Sequence, residues 1–322
     1  MKNKIILFFI LSITFQICIA QNSTNENGFT IIPLGVKGGL DESNLSAYMI
    51  AASGSNNYLC FDAGTINVGL QKAVQKNLFD ETDIAAIQKK YIKGYFVSHA
   101  HLDHVAGLIL NSPNDIAKNV YGFDSVIEVL KNYYFTWKAW ANFTNEGDKP
   151  QLNKYTYNYL TPGKELAIAN TELSVTPYLL SHVSPYESSA FLIRNKNSYL
   201  LYLGDTGPDS VEGSTKLKEL WTVVAEPIKR GELKAIFIEV SFDNAMPDKS
   251  LFGHLTPRLL MQEMRILNEL AGGKLNQVKI FVTHMKPCGN CEKNIKNQIK
   301  SENKLGLSIQ YPIQGTLIKI NN

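Results

Sequence analysis

Within Ser98-His99-Ala100-His101-Leu102-Asp103-His104, three imidazoles and a carboxylate fall inside six residues. The stretch follows the apolar Tyr95-Phe96-Val97, which reads as a short buried strand. The cluster therefore stands where a strand gives way to a loop, and a helix can begin near Asp103. His99 and His101 are two apart, so in extended chain they point the same way and can hold one ion. Asp103 and His104 come after the chain has turned and can hold a second ion close to the first. Neutral imidazole and carboxylate together suit Zn²⁺ best, with Mn²⁺ and Fe²⁺ also compatible. This is a metal site.

Further ligands come from strand ends. The strand Leu173-Ser174-Val175-Thr176-Pro177-Tyr178 leads into Leu180-Ser181-His182. Ala190 to Ile193 and Tyr199 to Leu203 pair across the turn Arg194-Asn195-Lys196-Asn197-Ser198, and the second arm ends in Gly204-Asp205-Thr206-Gly207. A catalytic pair of ions usually wants a bridging carboxylate, and Asp205, between glycines that let the backbone come close, is the natural bridge. Ala235-Ile236-Phe237-Ile238 delivers Glu239, and Val278-Lys279-Ile280-Phe281-Val282 delivers Thr283-His284. Between them Thr256 suits an N-cap and Pro257 the first helical position, which predicts a helix to about Leu270 and holds His254 at the mouth of the site. All six histidines of the chain enter this one picture. Ligands presented by several strand ends on one rim are a recurring geometry of layered folds.

Other elements frame the site. Thr30-Ile31-Ile32-Pro33-Leu34, Ala47-Tyr48-Met49-Ile50 and Tyr58-Leu59-Cys60-Phe61 are short strands separated by Gly, Asn and Ser turns, the third ending in Asp62-Ala63-Gly64-Thr65. Asp80 to Tyr91 has the pattern of a helix, with Ile84, Ile87 and Tyr91 on one face. An inserted segment at about 119–160 gathers Tyr133, Tyr134, Phe135, Trp137, Trp140 and Phe143, then Tyr155, Tyr157 and Tyr159. Two readings stand open for it: aromatics packed on the core or in a homodimer contact, or a lid whose rings stack on a flat base.

Lys2 and Lys4 precede an apolar run from Ile5 to about Ile13, and Cys18-Ile19-Ala20 precedes Gln21. That is the pattern of a secretory signal cut after Ala20, with an apolar run too short for a stable membrane span. The exported chain, periplasmic or secreted, would comprise residues 21–322 as one domain. Of 32 basic residues two lie in the signal, leaving 30 against 29 acidic ones, so no basic stripe is present for a nucleic acid polymer. Cys60 sits in an apolar run and reads as a buried, inert thiol. Cys288-Gly289-Asn290-Cys291 is a lone C-x-x-C, read as a short disulfide or free thiols near the rim of the site.

The pattern His-x-His-x-Asp-His, a later His, Gly-Asp-x-Gly and a final Thr-His resembles the metallo-β-lactamase superfamily, which implies a four-layer αββα sandwich (α/β in composition, α+β in class) with a di-metal site on one edge. A longer match is narrower. His99 to Pro113, Gly204 to Asp209, Glu239-Val240-Ser241-Phe242-Asp243-Asn244, Gly253 to Pro257 and Thr283-His284-Met285-Lys286-Pro287 are similar, in order, to the blocks of the class II cyclic-nucleotide phosphodiesterases. Ala141 stands where that family's pattern has proline. The resemblance implies one ion on His99, His101 and His182, another on Asp103, His104 and His284, and Asp205 between them. It also implies that the 3′ phosphoester of a 3′,5′-cyclic nucleotide (cAMP or cGMP) is opened to a 5′-monophosphate, with Asp103, Glu239 and His254 in the chemistry and His254 donating to the leaving oxygen. Other readings are a β-lactamase, a transfer-RNA 3′-processing nuclease, and a binding protein that has kept the fold without turnover. The first usually lacks an aspartate equivalent to Asp205, and the second needs a basic RNA-binding arm. The third has no need of two ions together with His254.

Overall fold

The computed structural model describes residues 27–321. The expected signal over residues 1–20 lies outside them. The first half runs β1 (Phe29–Gly35), β2 (Ala47–Ala52), β3 (Tyr58–Phe61), α1 (Asn67–Gln75), α2 (Ile84–Tyr91), β4 (Ile92–Phe96), α3 (Leu102–Asn111), β5 (Lys118–Gly122), α4 (Asp124–Val129) and β6 (Tyr155–Tyr159). The second runs β7 (Leu166–Ala167), β8 (Ser174–Ser181), β9 (Glu187–Asn195), β10 (Ser198–Leu203), α5 (Asp209–Glu212), α6 (Lys216–Lys229), β11 (Leu233–Glu239), α7 (Pro257–Leu270), β12 (Lys279–Thr283), α8 (Cys291–Glu302), β13 (Ser308–Gln310) and β14 (Ile318–Ile320).

Strand alternation decides the layers. Along β2, Tyr48, Ile50 and Ala52 join a central core with Phe29, Phe61, Phe96, Phe191 and Phe237, while Ala47, Met49 and Ala51 face the opposite way. Along β11, Ala235 and Phe237 face that same centre and Ile236 and Ile238 face outward. Both sheets are thus buried on both faces, which explains why their strands read as near-continuous apolar runs. One sheet has the order β14-β1-β2-β3-β4-β5-β6 and the other β13-β12-β11-β10-β9-β8-β7. Outer cores join Leu70, Ile87 and Leu108 of α1, α2 and α3 to the first sheet, and Trp221, Leu260 and Ile295 of α6, α7 and α8 to the second. The result is the expected four-layer αββα sandwich. Ring pairs such as Phe96–Tyr121 at 4.4 Å and Phe237–Phe281 at 4.5 Å fill its central layer.

Three local expectations change. The helix predicted from Asp80 begins at Ile84, because the Asp83 carboxylate accepts from the Ala85 amide at 3.0 Å and fixes the N-terminus there. The predicted turn Arg194 to Ser198 is shorter, because pairing continues to Asn195↔Ser198. The helix from Pro257 to Leu270 is present, but the Thr256 side chain makes no cap bond. Its N-terminus is satisfied from outside: the Asn244 side-chain oxygen accepts from the Arg258 amide at 2.9 Å. Among the described residues no helix is long and apolar enough to cross a membrane.

Candidate metal centre

Strand direction gathers the site. β3 and β4 are parallel, as are β10, β11 and β12, and β8 runs with β10 because each is antiparallel to β9. The C-terminal ends of these strands carry Asp62, Ser98 and His99 from one sheet, and His182, Asp205, Glu239 and His284 from the other. The first turn of α3 adds Asp103 and His104. All nine sequence-predicted residues meet on this edge.

Two groups of donor atoms converge there. His99, His101 and His182 form one, and Asp103, His104, Asp205 and His284 the other, each with its ligand atoms inside 4.8 Å of one another. Asp205 Oδ2 lies between them, 3.4 Å from His104 Nε2, 3.3 Å from His284 Nε2, 3.7 Å from His99 Nε2 and 4.0 Å from His182 Nε2. Close approach is built into the backbone. A Cβ on Gly204 would lie 2.4 Å from the Ser98 side chain, and one on Gly38 2.3 Å from the His284 ring. Glycine is required at both positions for steric reasons.

The far nitrogen of several rings is pinned. His182 Nδ1 donates to the Gly253 carbonyl at 2.8 Å, His104 Nδ1 to Asp62 Oδ2 at 2.8 Å, and His284 Nδ1 to the Ser241 hydroxyl at 2.9 Å. Each such bond places the proton on Nδ1 and leaves the Nε2 lone pair aimed inward. His104 Nε2 and His284 Nε2 then face each other at 3.2 Å, and His99 Nε2 faces His101 Nδ1 at 3.0 Å. The inward lone pairs of His104 and His284, brought this close, call for a cation between them, and the donor set of imidazole nitrogen and carboxylate oxygen fits a divalent metal.

The electrostatics agree. Burial lowers His99, and brings His182 down to about 4, so both are neutral imidazoles at ordinary pH. Burial opposes ionisation of Asp205, but His284, His104 and His254 outweigh it and hold the carboxyl well below the usual range. Asp103 is lowered against its burial by His104 and His284. His104 is raised: despite burial, Asp205, Asp62 and Asp103 favour a positive charge there. That surplus of negative field is what a bound cation answers.

Glu239 lies beside these ligands with its oxygens already committed. Oε1 accepts from His254 Nδ1 at 2.7 Å, and Oε2 from the Ser241 hydroxyl at 2.7 Å. It therefore orients His254, whose Nε2 is left for the mouth of the site. Burial opposes a charge on His254, yet the Glu239 carboxylate prevails and raises its pKa.

Sequence reasoning did not assign Asp62 or Ser241. Asp62 is fully buried, sits at φ +54°, and accepts from the Ser98 amide, the Ser98 hydroxyl, His104 and Tyr202 at 2.7, 2.9, 2.8 and 2.7 Å. An acid followed by a glycine turn at a strand end was the available signal. Ser241, two residues beyond Glu239, links that carboxylate to His284 and had no signal of its own.

A cavity of about 310 Å³ adjoins His99, His101 and His182, walled by Ser125, Val126 and Val129 of α4, by Pro185 and Tyr186 of the β8–β9 turn and by Glu187 at the start of β9. The aromatic insert packs mostly on the core. Phe135, Tyr155 and Tyr157 belong to the outer core, Trp140 donates to the Ser112 hydroxyl at 3.1 Å, and Tyr134 donates to the Ala100 carbonyl at 3.0 Å. None of its rings lines the cavity. The aromatic at the cavity is Tyr186, which is 71% exposed. Cys288 and Cys291 form the short disulfide, and Cys60 is buried, its thiol donating to the Asp62 carbonyl at 3.0 Å.

Residues 25–315 match the family model described as class-II cAMP phosphodiesterases. The chain is 40% identical to a 3′,5′-cyclic-nucleotide phosphodiesterase of Aliivibrio fischeri, covering 98% of each chain. Its backbone is similar to the crystal structure of unliganded yeast PDE1, with a TM-score of 0.78 and 21% identity over 92% of this chain and 100% of that one. A metallo-β-lactamase fold protein of Bacillus subtilis, YhfI, aligns with a TM-score of 0.61 and 17% identity over 91% of this chain and 99% of the other.

The four-donor seat of Asp62 gives a test. In Asp62→Asn an amide N–H₂ must face groups that themselves donate, and His104 loses its fixed orientation. Zinc affinity, read by competition with a chromogenic chelator, is expected to fall roughly 10–100-fold; an unchanged affinity would show that Asp62 does not serve the site.

Proposed function

The chain belongs to the family of class-II cAMP phosphodiesterases, and on that premise we propose how its edge site hydrolyses 3′,5′-cyclic nucleotides to nucleoside 5′-monophosphates. The observation that carries the proposal is Asp205 Oδ2 within 4.0 Å of imidazoles from both ligand groups, beside a cavity of nucleotide-base size. His99, His101 and His182 would hold one divalent ion and Asp103, His104 and His284 a second, with Asp205 shared; zinc suits the donors best, and manganese or iron also fit. Such ions acidify water and neutralise charge gathering on phosphoryl oxygens.

The chain's own groups supply orientation and the proton. Glu239 holds His254 through Nδ1, so only the Nε2 edge of the ring meets substrate. As the bond from phosphorus to the 3′ oxygen breaks, His254 delivers a proton to that oxygen at Nε2. The Gly253 carbonyl fixes His182, and the Ala100 carbonyl held by Tyr134 steadies the loop between His99 and His101. A base entering the cavity lies between α4 and Tyr186, whose exposed ring offers it a stacking face.

The N-terminal signal pattern ending at Ala20 supports export, and the Cys288–Cys291 disulfide fits an oxidising compartment. We place the protein outside the cytoplasm on that ground.

Release of 5′-AMP or 5′-GMP from the 3′,5′-cyclic nucleotides is the direct assay. Activity should vanish with a strong chelator, return with Zn²⁺ or Mn²⁺, and be absent from Asp103→Ala; turnover that persists in the chelated enzyme or the variant would refute the site. For Tyr186→Ala, KM for cyclic AMP should rise about tenfold with kcat little changed, as loss of roughly 1.4 kcal/mol of stacking implies. An unaltered KM would place the base elsewhere. Export is checked by N-terminal sequencing of the secreted or periplasmic form, which should begin at Gln21; a protein retaining Met1 inside the cell would overturn it.

A further inference from the structure

Lys286 stands before Pro287 in the Thr283-His284-Met285-Lys286-Pro287 stretch and is half-buried on the rim. Its Nζ is within hydrogen-bonding distance, 3.2 Å, of His254 Nε2, the ring nitrogen that Glu239 does not hold. The ammonium also sits 4.8 Å from the centre of the Phe242 ring, and that ring meets His254 edge-on at 5.7 Å. The Lys286 amide donates to the Ser241 carbonyl at 3.2 Å, tying the lysine backbone to the residue that links Glu239 and His284. Among the described residues no carboxylate pairs with this ammonium, whereas Lys118 and Lys216 each have one at 2.6 Å. A cation has been brought to the open edge of the general acid and left without a partner anion.

We propose that Lys286 is a further catalytic residue whose ammonium contacts the leaving 3′ oxygen alongside His254. This rests on the phosphodiesterase reading above and deepens it. Two nitrogens 3.2 Å apart define one place where a single oxygen accepts from both. In the reaction a water oxygen forms the new bond to phosphorus and gives up a proton. The bond from phosphorus to the 3′ oxygen breaks, and its electron pair stays on that oxygen, which takes one proton. Negative charge therefore grows on the 3′ oxygen before the proton arrives in full. Lys286 stabilises that charge by a hydrogen bond and by its own charge, in a partly desolvated setting where such a donor counts most in the transition state. Phe242 keeps the ammonium on the rim through its ring face.

The test separates leaving-group stabilisation from folding and from phosphate binding. Cyclic AMP is compared with its analogue carrying sulfur at the 3′ bridging position, since a departing thiolate needs little help. For Lys286→Met, kcat on cyclic AMP should fall about 100-fold with KM within about threefold, while the sulfur analogue is hydrolysed within about threefold of the wild-type rate. Lys286→Arg should recover most of the loss on the oxygen substrate. Metal content and melting temperature should match the parent, and Lys286→Gln is the neutral replacement if the methionine variant melts low. An equal loss on both substrates, or no loss on cyclic AMP, would overturn the proposal. A wild-type enzyme inert toward cyclic nucleotides would instead remove the phosphodiesterase premise, a distinct failure.

Discussion

One carboxylate oxygen sets the terms for the whole edge of the sandwich. Asp205 is 2% exposed, and a buried carboxylate without compensation would cost several kcal/mol. Compensation comes from imidazoles supplied by both sheets, by the loop after β4 and by the first turn of α3. Gly204 is part of the same constraint, because it lets the end of β10 approach Ser98 closely enough for the two sheets to share a site. Around this centre each histidine takes its orientation from its far nitrogen. The polar shell of Asp62, Ser241, Glu239 and the Gly253 carbonyl thus belongs to the site as much as the ligands do.

Much of this was legible because strand ends and metal ligands leave strong local traces. Six histidines in 322 residues, each at the end of an apolar run or a helix start, have few uses other than to meet. Short apolar runs likewise marked buried strands. Partners that act at long range left no such trace. Asp62 and His104 are 42 residues apart, and Asn244 satisfies the start of a helix for which Thr256 was the apparent local cap. A capping preference is a local statistic, and at Thr256 a tertiary contact overrode it.

The aromatic insert shows the same limit from another side. Ring-rich composition is compatible with a core and with a binding surface, and only packing decides between them. Here the rings mostly complete the outer core beside β5 and β6, and Tyr134 alone reaches the ligand loop through its hydroxyl. The cavity draws its aromatic from the β8–β9 turn, where a single tyrosine between Pro185 and Glu187 has no periodic pattern to mark it. Membership of the phosphodiesterase family gives the reaction, and the geometry of this chain says which of its rings can attend it.

Every histidine in the chain lies within this one cluster. The imidazole resonances of an untagged sample therefore form a spectrum of the site alone, with no background from distant rings. Nitrogen-15 shifts would distinguish Nδ1 from Nε2 at each position and follow metal loading ring by ring, without a probe atom being introduced. For a protein of this size that is an uncommon experimental convenience, and it follows directly from where the sequence has spent its imidazoles.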